Sequence, residues 1–136
     1  MPSTSRSERP LSPHLQVYRW QYTMTLSILH RVTGCAMSAG LLLFVYWLLA
    51  LAGGADSYAR AEQLFAHPLI KLVLAGLSFC FFYHLMNGVR HLVWDTGHGL
   101  ERKAARRSGW VAFLAGVVCT AFFWFLILRR LAEVAA

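Results

Sequence analysis

Three long apolar stretches dominate the chain, over 32–55, 72–89 and 108–128, and none of them holds an Asp, Glu, Lys or Arg. They run 24, 18 and 21 residues, and a helix needs about 20 apolar residues to cross the hydrocarbon core of a bilayer. Three such runs exceed what buried core helices explain. The expected fold is an all-α membrane protein with three transmembrane helices, at about 22–53, 69–94 and 108–130. The whole of 1–136 is then one membrane-anchor domain.

Turn-forming residues separate these runs. Residues 1–14 read as an extended leader, with three of the four prolines and Ser12-Pro13 near its end. From about Leu15 the pattern can become helical, and nothing need break it before Gly53-Gly54 and Asp56. Residues 56–68 form an outer connection with a short amphipathic turn, closed by His67-Pro68. Pro68 suits the first turn of the second helix, which runs to about Asp95 and the turn Thr96-Gly97-His98-Gly99. Glu101–Arg107 is a basic stretch, and the third helix begins near Ser108.

Composition agrees with this reading: 57% of the residues are hydrophobic and 14% charged, against about a quarter charged in a soluble domain. The net charge of +7 suggests nucleic acid until its distribution is read. Lys and Arg count four before the first span, two before the second, five before the third and two after it. Basic residues gather on the cytoplasmic side of short loops, so the N-terminus is expected in the cytoplasm and the C-terminus outside, with no nucleic-acid partner. Arg129 and Arg130 oppose this weakly and can snorkel to headgroups. Met1–Pro10 is too short for an apolar signal segment and short for a mitochondrial transit peptide. That favours a bacterial cytoplasmic (inner) membrane, with the mitochondrial inner membrane the eukaryotic equivalent. Cys35, Cys80 and Cys119 fall one per span without a CxxC motif, and read as buried apolar thiols.

Ionisable residues inside a span are costly, so they are functional candidates. His84 lies roughly 16 Å from Asp95 along a helix, near mid-bilayer. A hydrogen bond to a neighbouring helix and ligation of a haem iron both fit it. Gly88 and His91 follow at i+4 and i+7 on the same face. Gly88 either packs a helix or leaves a gap for a flat macrocycle. His91 and Arg90 lie about 10 Å nearer the cytoplasm, where haem propionates would need cations. A second group, Trp20, Met24, Ser27 and Arg31, forms one helical stripe joining an aromatic ring, a thioether, a hydroxyl and a guanidinium. A quinone head needs that mixture, and an interfacial anchor of Trp and Arg also fits. The run Arg102, Lys103, Arg106, Arg107 suits anionic lipid headgroups or an extrinsic subunit. No carboxylate pair, nucleophile–base arrangement or phosphate loop appears, so any redox role needs a cofactor. His30 and His84 are expected at depths differing by about 10 Å, too far apart to share one iron.

Two long segments carry a resemblance. Arg9-Pro10-Leu11-Ser12-Pro13-His14-Leu15, followed by Ser27-Ile28-Leu29-His30-Arg31-Val32-Thr33-Gly34, resembles one motif of the succinate dehydrogenase cytochrome b subunit family. His84-Leu85-Met86-Asn87-Gly88-Val89-Arg90-His91-Leu92-Val93-Trp94-Asp95-Thr96-Gly97 resembles its second. The resemblance covers nearly the whole chain, without departure at the motif positions; the loop from Asp56 to His67 carries none of them. It implies a subunit of an oxidoreductase with no catalysis of its own, within a heteromeric helix bundle. Its implied partners are a second small membrane anchor, an iron–sulfur subunit and a flavoprotein subunit, besides ubiquinone and lipid. Haem b would lie between the two anchors, each giving one axial histidine. His84 then resembles the iron ligand, with His30, Arg31 and His91 near the propionates. Ser27 and Arg31 resemble the quinone-site residues, with Trp20, Met24 and Ile28 as walls.

Three alternatives compete. One is the anchor of a fumarate reductase running the opposite way, and another a haem-free structural anchor. The third, a small transporter or membrane-bound enzyme, is disfavoured because one mid-membrane ionisable residue is too few for a proton relay.

Overall fold

The structure is a computed structural model that describes His14 and residues 17–135; the rest of the expected leader lies outside the described residues. Four helices follow in order: α1 (Tyr22–Ala52), α2 (Ala55–Ala66), α3 (Pro68–Asp95) and α4 (Arg102–Ala135). No strand occurs among the described residues. α1, α3 and α4 have 31, 28 and 34 residues and are apolar enough to cross a membrane. At 1.5 Å per residue they run roughly 46, 42 and 51 Å, longer than the ~30 Å hydrocarbon core, so their ends reach past it.

The boundaries follow local chemistry. α1 starts later than Leu15, at Tyr22, after an extended Gln21. Trp20 Nε1–H donates to Thr25 Oγ1 at 2.6 Å, folding the indole back over the first turn. Gly53 closes α1, and Gly54, at φ 85°, makes the reversal that a side chain would strain. The connection expected over 56–68 is more than a turn: α2 is a helix of 12 residues. α3 begins at Pro68, where the missing N–H costs nothing, and His67 Nδ1 accepts from Leu69 N–H. The basic stretch ahead of the third span forms the first turns of α4.

α3 packs most extensively on α4 and next on α1. Small residues permit this, as membrane helices require. A Cβ added at Gly116 would stand 3.0 Å from the Tyr83 Cα, and one at Gly109 would collide with Leu26. Tyr83, fully buried, donates its hydroxyl to the Leu26 carbonyl at 3.1 Å, and Trp124 Nε1–H donates to Ser78 Oγ at 2.8 Å. The outward faces of the three long helices are largely apolar, with Leu42, Leu72, Val111 and Val118 each more than 60% exposed; lipid or another subunit must cover them. None of the three cysteines is buried as expected: Cys35 is exposed, and Cys80 and Cys119 are half-buried.

Candidate functional site

Two faces of α3 divide its work. Leu77, His84 and His91 share the α1 side; Tyr83, Asn87 and Arg90 form the buried α4 side. His84 Nδ1 lies 3.1 Å from the backbone oxygen of His30 and 3.3 Å from Thr33 Oγ1. A carbonyl only accepts, so that contact places the ring hydrogen on Nδ1 and leaves the Nε2 lone pair free. Thr33, itself buried, donates its hydroxyl to the same carbonyl at 2.9 Å. Gly34 makes room: a Cβ there would come within 3.1 Å of His84 Cε1. Metal-bound histidines characteristically donate their second N–H to a backbone carbonyl or a carboxylate, and His84 is held in that state.

His30 stacks on His84, with ring centroids 3.9 Å apart and planes 16° from parallel. The expected 10 Å depth difference is therefore wrong. α1 begins at Tyr22, well before its uncharged run, which puts His30 about 12 Å into α1 against 16 Å for His84 in α3. The two imidazoles lie face to face, so their ring nitrogens do not point at one shared position between them. His30 Nδ1 is buried without a partner among the described residues. His91, exposed, tilts against His30 at 5.3 Å and meets Trp94 edge-on at 5.1 Å. Among the described residues, no group of three or more His, Cys, Asp or Glu is placed to hold a metal.

Gly88 is open within this chain. Nothing lies within 4 Å of a Cβ built there, so no helix of this chain packs on it. It leaves an open cradle one turn from His84, and a free Nε2 beside such a cradle fits a flat ligated macrocycle.

Arg90 does not join this face. It is 7% exposed and turned towards α4. Its Nε donates to Ser108 Oγ at 3.0 Å, Nη1 to Asn87 Oδ1 at 3.1 Å and Nη2 to the Ala105 carbonyl at 2.8 Å. The guidanidinium carbon also lies 3.9 Å over the Trp94 ring, a cation–π contact. Each guanidinium nitrogen is engaged, so Arg90 clamps α3 to α4 and is not free for propionates.

The second stripe lies a quarter-turn round α1 from His30. Ser27, Arg31 and Ile28 are exposed, Trp20 is 58% exposed and Met24 half-buried. Neither Ser27 nor Arg31 has a side-chain hydrogen bond or ion pair among the described residues. They share one outward face, within roughly 6 Å along the axis of His30, and no helix of this chain closes a pocket over them. Thr33 and Gly34 escaped a functional assignment in the sequence. Their one signal was a hydroxyl and a missing side chain inside an apolar run, next to His30.

The model of the succinate dehydrogenase/fumarate reductase transmembrane subunit family matches residues 5–123. The chain belongs to this family. It is 40% identical over 119 residues to the succinate dehydrogenase cytochrome b556 subunit of Rickettsia felis, covering 87% of this chain and 92% of that protein. The corresponding subunit of Paracoccus denitrificans is 39% identical over 127 residues, 93% and 97% of the two chains. The mitochondrial cytochrome b560 subunit of Sus scrofa is 43% identical over 114 residues, 82% and 68%. As a family member the anchor chain is a membrane-spanning subunit of an oxidoreductase. Its relatives are bacterial and mitochondrial, in keeping with the expected inner-membrane location.

Proposed function

We propose that this family member binds haem b together with a partner anchor subunit and forms one wall of a ubiquinone-reduction site in a succinate:ubiquinone oxidoreductase. One observation carries the haem reading: the His30 carbonyl fixes His84 with Nε2 free, beside the open cradle at Gly88. His84 would be one axial ligand, with the other histidine supplied by the second small anchor. His30, His91 and Arg31 would lie near the propionates. Bound there, the haem supplies a one-electron carrier.

The chain's own residues do the rest. The His30 carbonyl and the Thr33 hydroxyl hold the proton on His84 Nδ1, while Gly34 and the His30 ring fix the imidazole plane. On the neighbouring face Arg31 fixes and polarises a quinone carbonyl, and Ser27 donates a hydrogen bond that strengthens as negative charge develops there. Both are preorganised electrostatic stabilisers. Trp20, Met24 and Ile28 supply an apolar wall, and other subunits close the pocket over these exposed side chains.

The basic end, with Arg102, Lys103, Arg106 and Arg107, faces the cytoplasm and the iron–sulfur and flavoprotein subunits, so protons for quinone reduction enter from that side. The relatives' names favour succinate oxidation over fumarate reduction. His84→Leu in the assembled complex tests the reading: loss or alteration of the low-spin haem spectrum is expected. A wild-type spectrum removes His84 as the ligand.

A further inference from the structure

At the opposite end from Arg102–Arg107, α1, α2 and α3, with Leu131 of α4, line an open cavity of about 560 Å³. Its walls are mostly apolar, with Phe44 and Trp47 of α1, Tyr58 of α2 and Leu74 of α3. Two charged side chains interrupt them: Glu62 on α2 and Lys71 on α3. Both are exposed, and neither has a hydrogen bond or ion pair among the described residues.

Each of these charges stands at the unfavourable end of its helix. Anions are stabilised near a helix N-terminus and cations near a C-terminus. Glu62 lies one turn from the C-terminal end of α2, whose last turn has no basic residue. Lys71 lies in the first turn of α3, which has no acidic residue. The two helix ends meet at His67, so one rim of the cavity has a negative pole and the next a positive pole. Glu62 also shares the cavity face of α2 with Tyr58 and Phe65.

We propose that this cavity is a binding site for a phospholipid with a zwitterionic ammonium–phosphate headgroup. The ammonium sits at Glu62 against the aromatic rings of Tyr58 and Trp47, and the phosphate sits at the Lys71 ammonium. One acyl chain follows the apolar wall along Phe44 and Leu74. The remainder of the lipid continues along the apolar surface. A single-charge headgroup would satisfy one pole and leave the other exposed to it.

The intact complex, purified in mild detergent, tests this by native mass spectrometry of retained phospholipid. The wild type is expected to keep a phosphoethanolamine lipid in preference to an anionic phosphoglycerol lipid. Glu62→Gln should cut phosphoethanolamine retention about tenfold while phosphoglycerol lipid is still retained; Lys71→Gln should cut both. In nanodiscs of the wild-type complex, spin-labelled phosphatidylethanolamine should show a larger immobilised fraction than spin-labelled phosphatidylglycerol, a readout that needs no variant. Retention of no phospholipid, retention indifferent to both substitutions, a preference for the anionic lipid, or a partner subunit's side chains filling the cavity in a structure of the complex would each overturn the proposal.

Discussion

Gly34→Ala is the smallest change that tests how His84 is held. The added Cβ would stand 3.1 Å from His84 Cε1 and 3.6 Å from Nδ1, whereas carbon atoms pack best at about 3.5–4.0 Å. The ring must yield by roughly half an ångström, and the His30 ring 3.9 Å away limits where it can go. A retreat of that size takes the 3.1 Å Nδ1–carbonyl contact to about 3.6 Å, beyond hydrogen-bonding range. The lost bond costs about 1 kcal/mol and the off-rotamer ring another 0.5–1.5 or so. Together these weaken haem binding by roughly 10- to 60-fold, within the range seen when a metal ligand loses its supporting partner. The assay is the rate of haem transfer from the purified complex to excess apomyoglobin, with the reduced-minus-oxidised spectrum and low-spin EPR signal per complex. Gly40→Ala is the control, since its Cβ would meet Leu77 and not His84; it should leave the spectrum of the bound haem unchanged. A Gly34→Ala complex that assembles normally and keeps the wild-type spectrum and transfer rate would refute the reasoning.

Gly88→Ala should leave the thermal stability of the haem-free chain unchanged while lowering haem content, because nothing in this chain occupies that space; equal haem content would show that the cradle takes no macrocycle. Ser27→Ala and Arg31→Leu should each slow quinone reduction about tenfold or more and spare artificial-dye reduction by the soluble subunits; parallel loss of both activities would count against a quinone role. Arg90→Leu removes three hydrogen bonds from a charged donor and should destabilise the complex by about 3 kcal/mol or more. Arg90→Lys should not rescue it, since an ammonium cannot span Ser108, Asn87 and Ala105 as the planar fork does; a thermal melt matching the wild type would dismiss the clamp. Gly116→Ala would press on the Tyr83 backbone at 3.0 Å, and overpacking of this kind costs about 1–3 kcal/mol, read as a lower melting temperature of the complex.

The sequence by itself determined the three spans, because a bilayer demands long uncharged helices whatever their neighbours. It also determined the limits of α3, since Pro68 and Gly97 act locally, and it marked His84 and Ser27–Arg31 as polar residues among apolar ones. Tertiary structure decided how those residues meet. Only the packing of α1 on α3 set the depth of His30 relative to His84 and brought its carbonyl and ring against that imidazole. Arg90 and His91 are adjacent in sequence, yet the successive residues of a helix point about 100° apart. One therefore clamps α4 while the other faces α1, and no spacing rule says which helix stands on which side. Thr33 and Gly34 acquire their roles for the same reason: a hydroxyl and a missing side chain take their meaning from what the neighbouring helix presses against them.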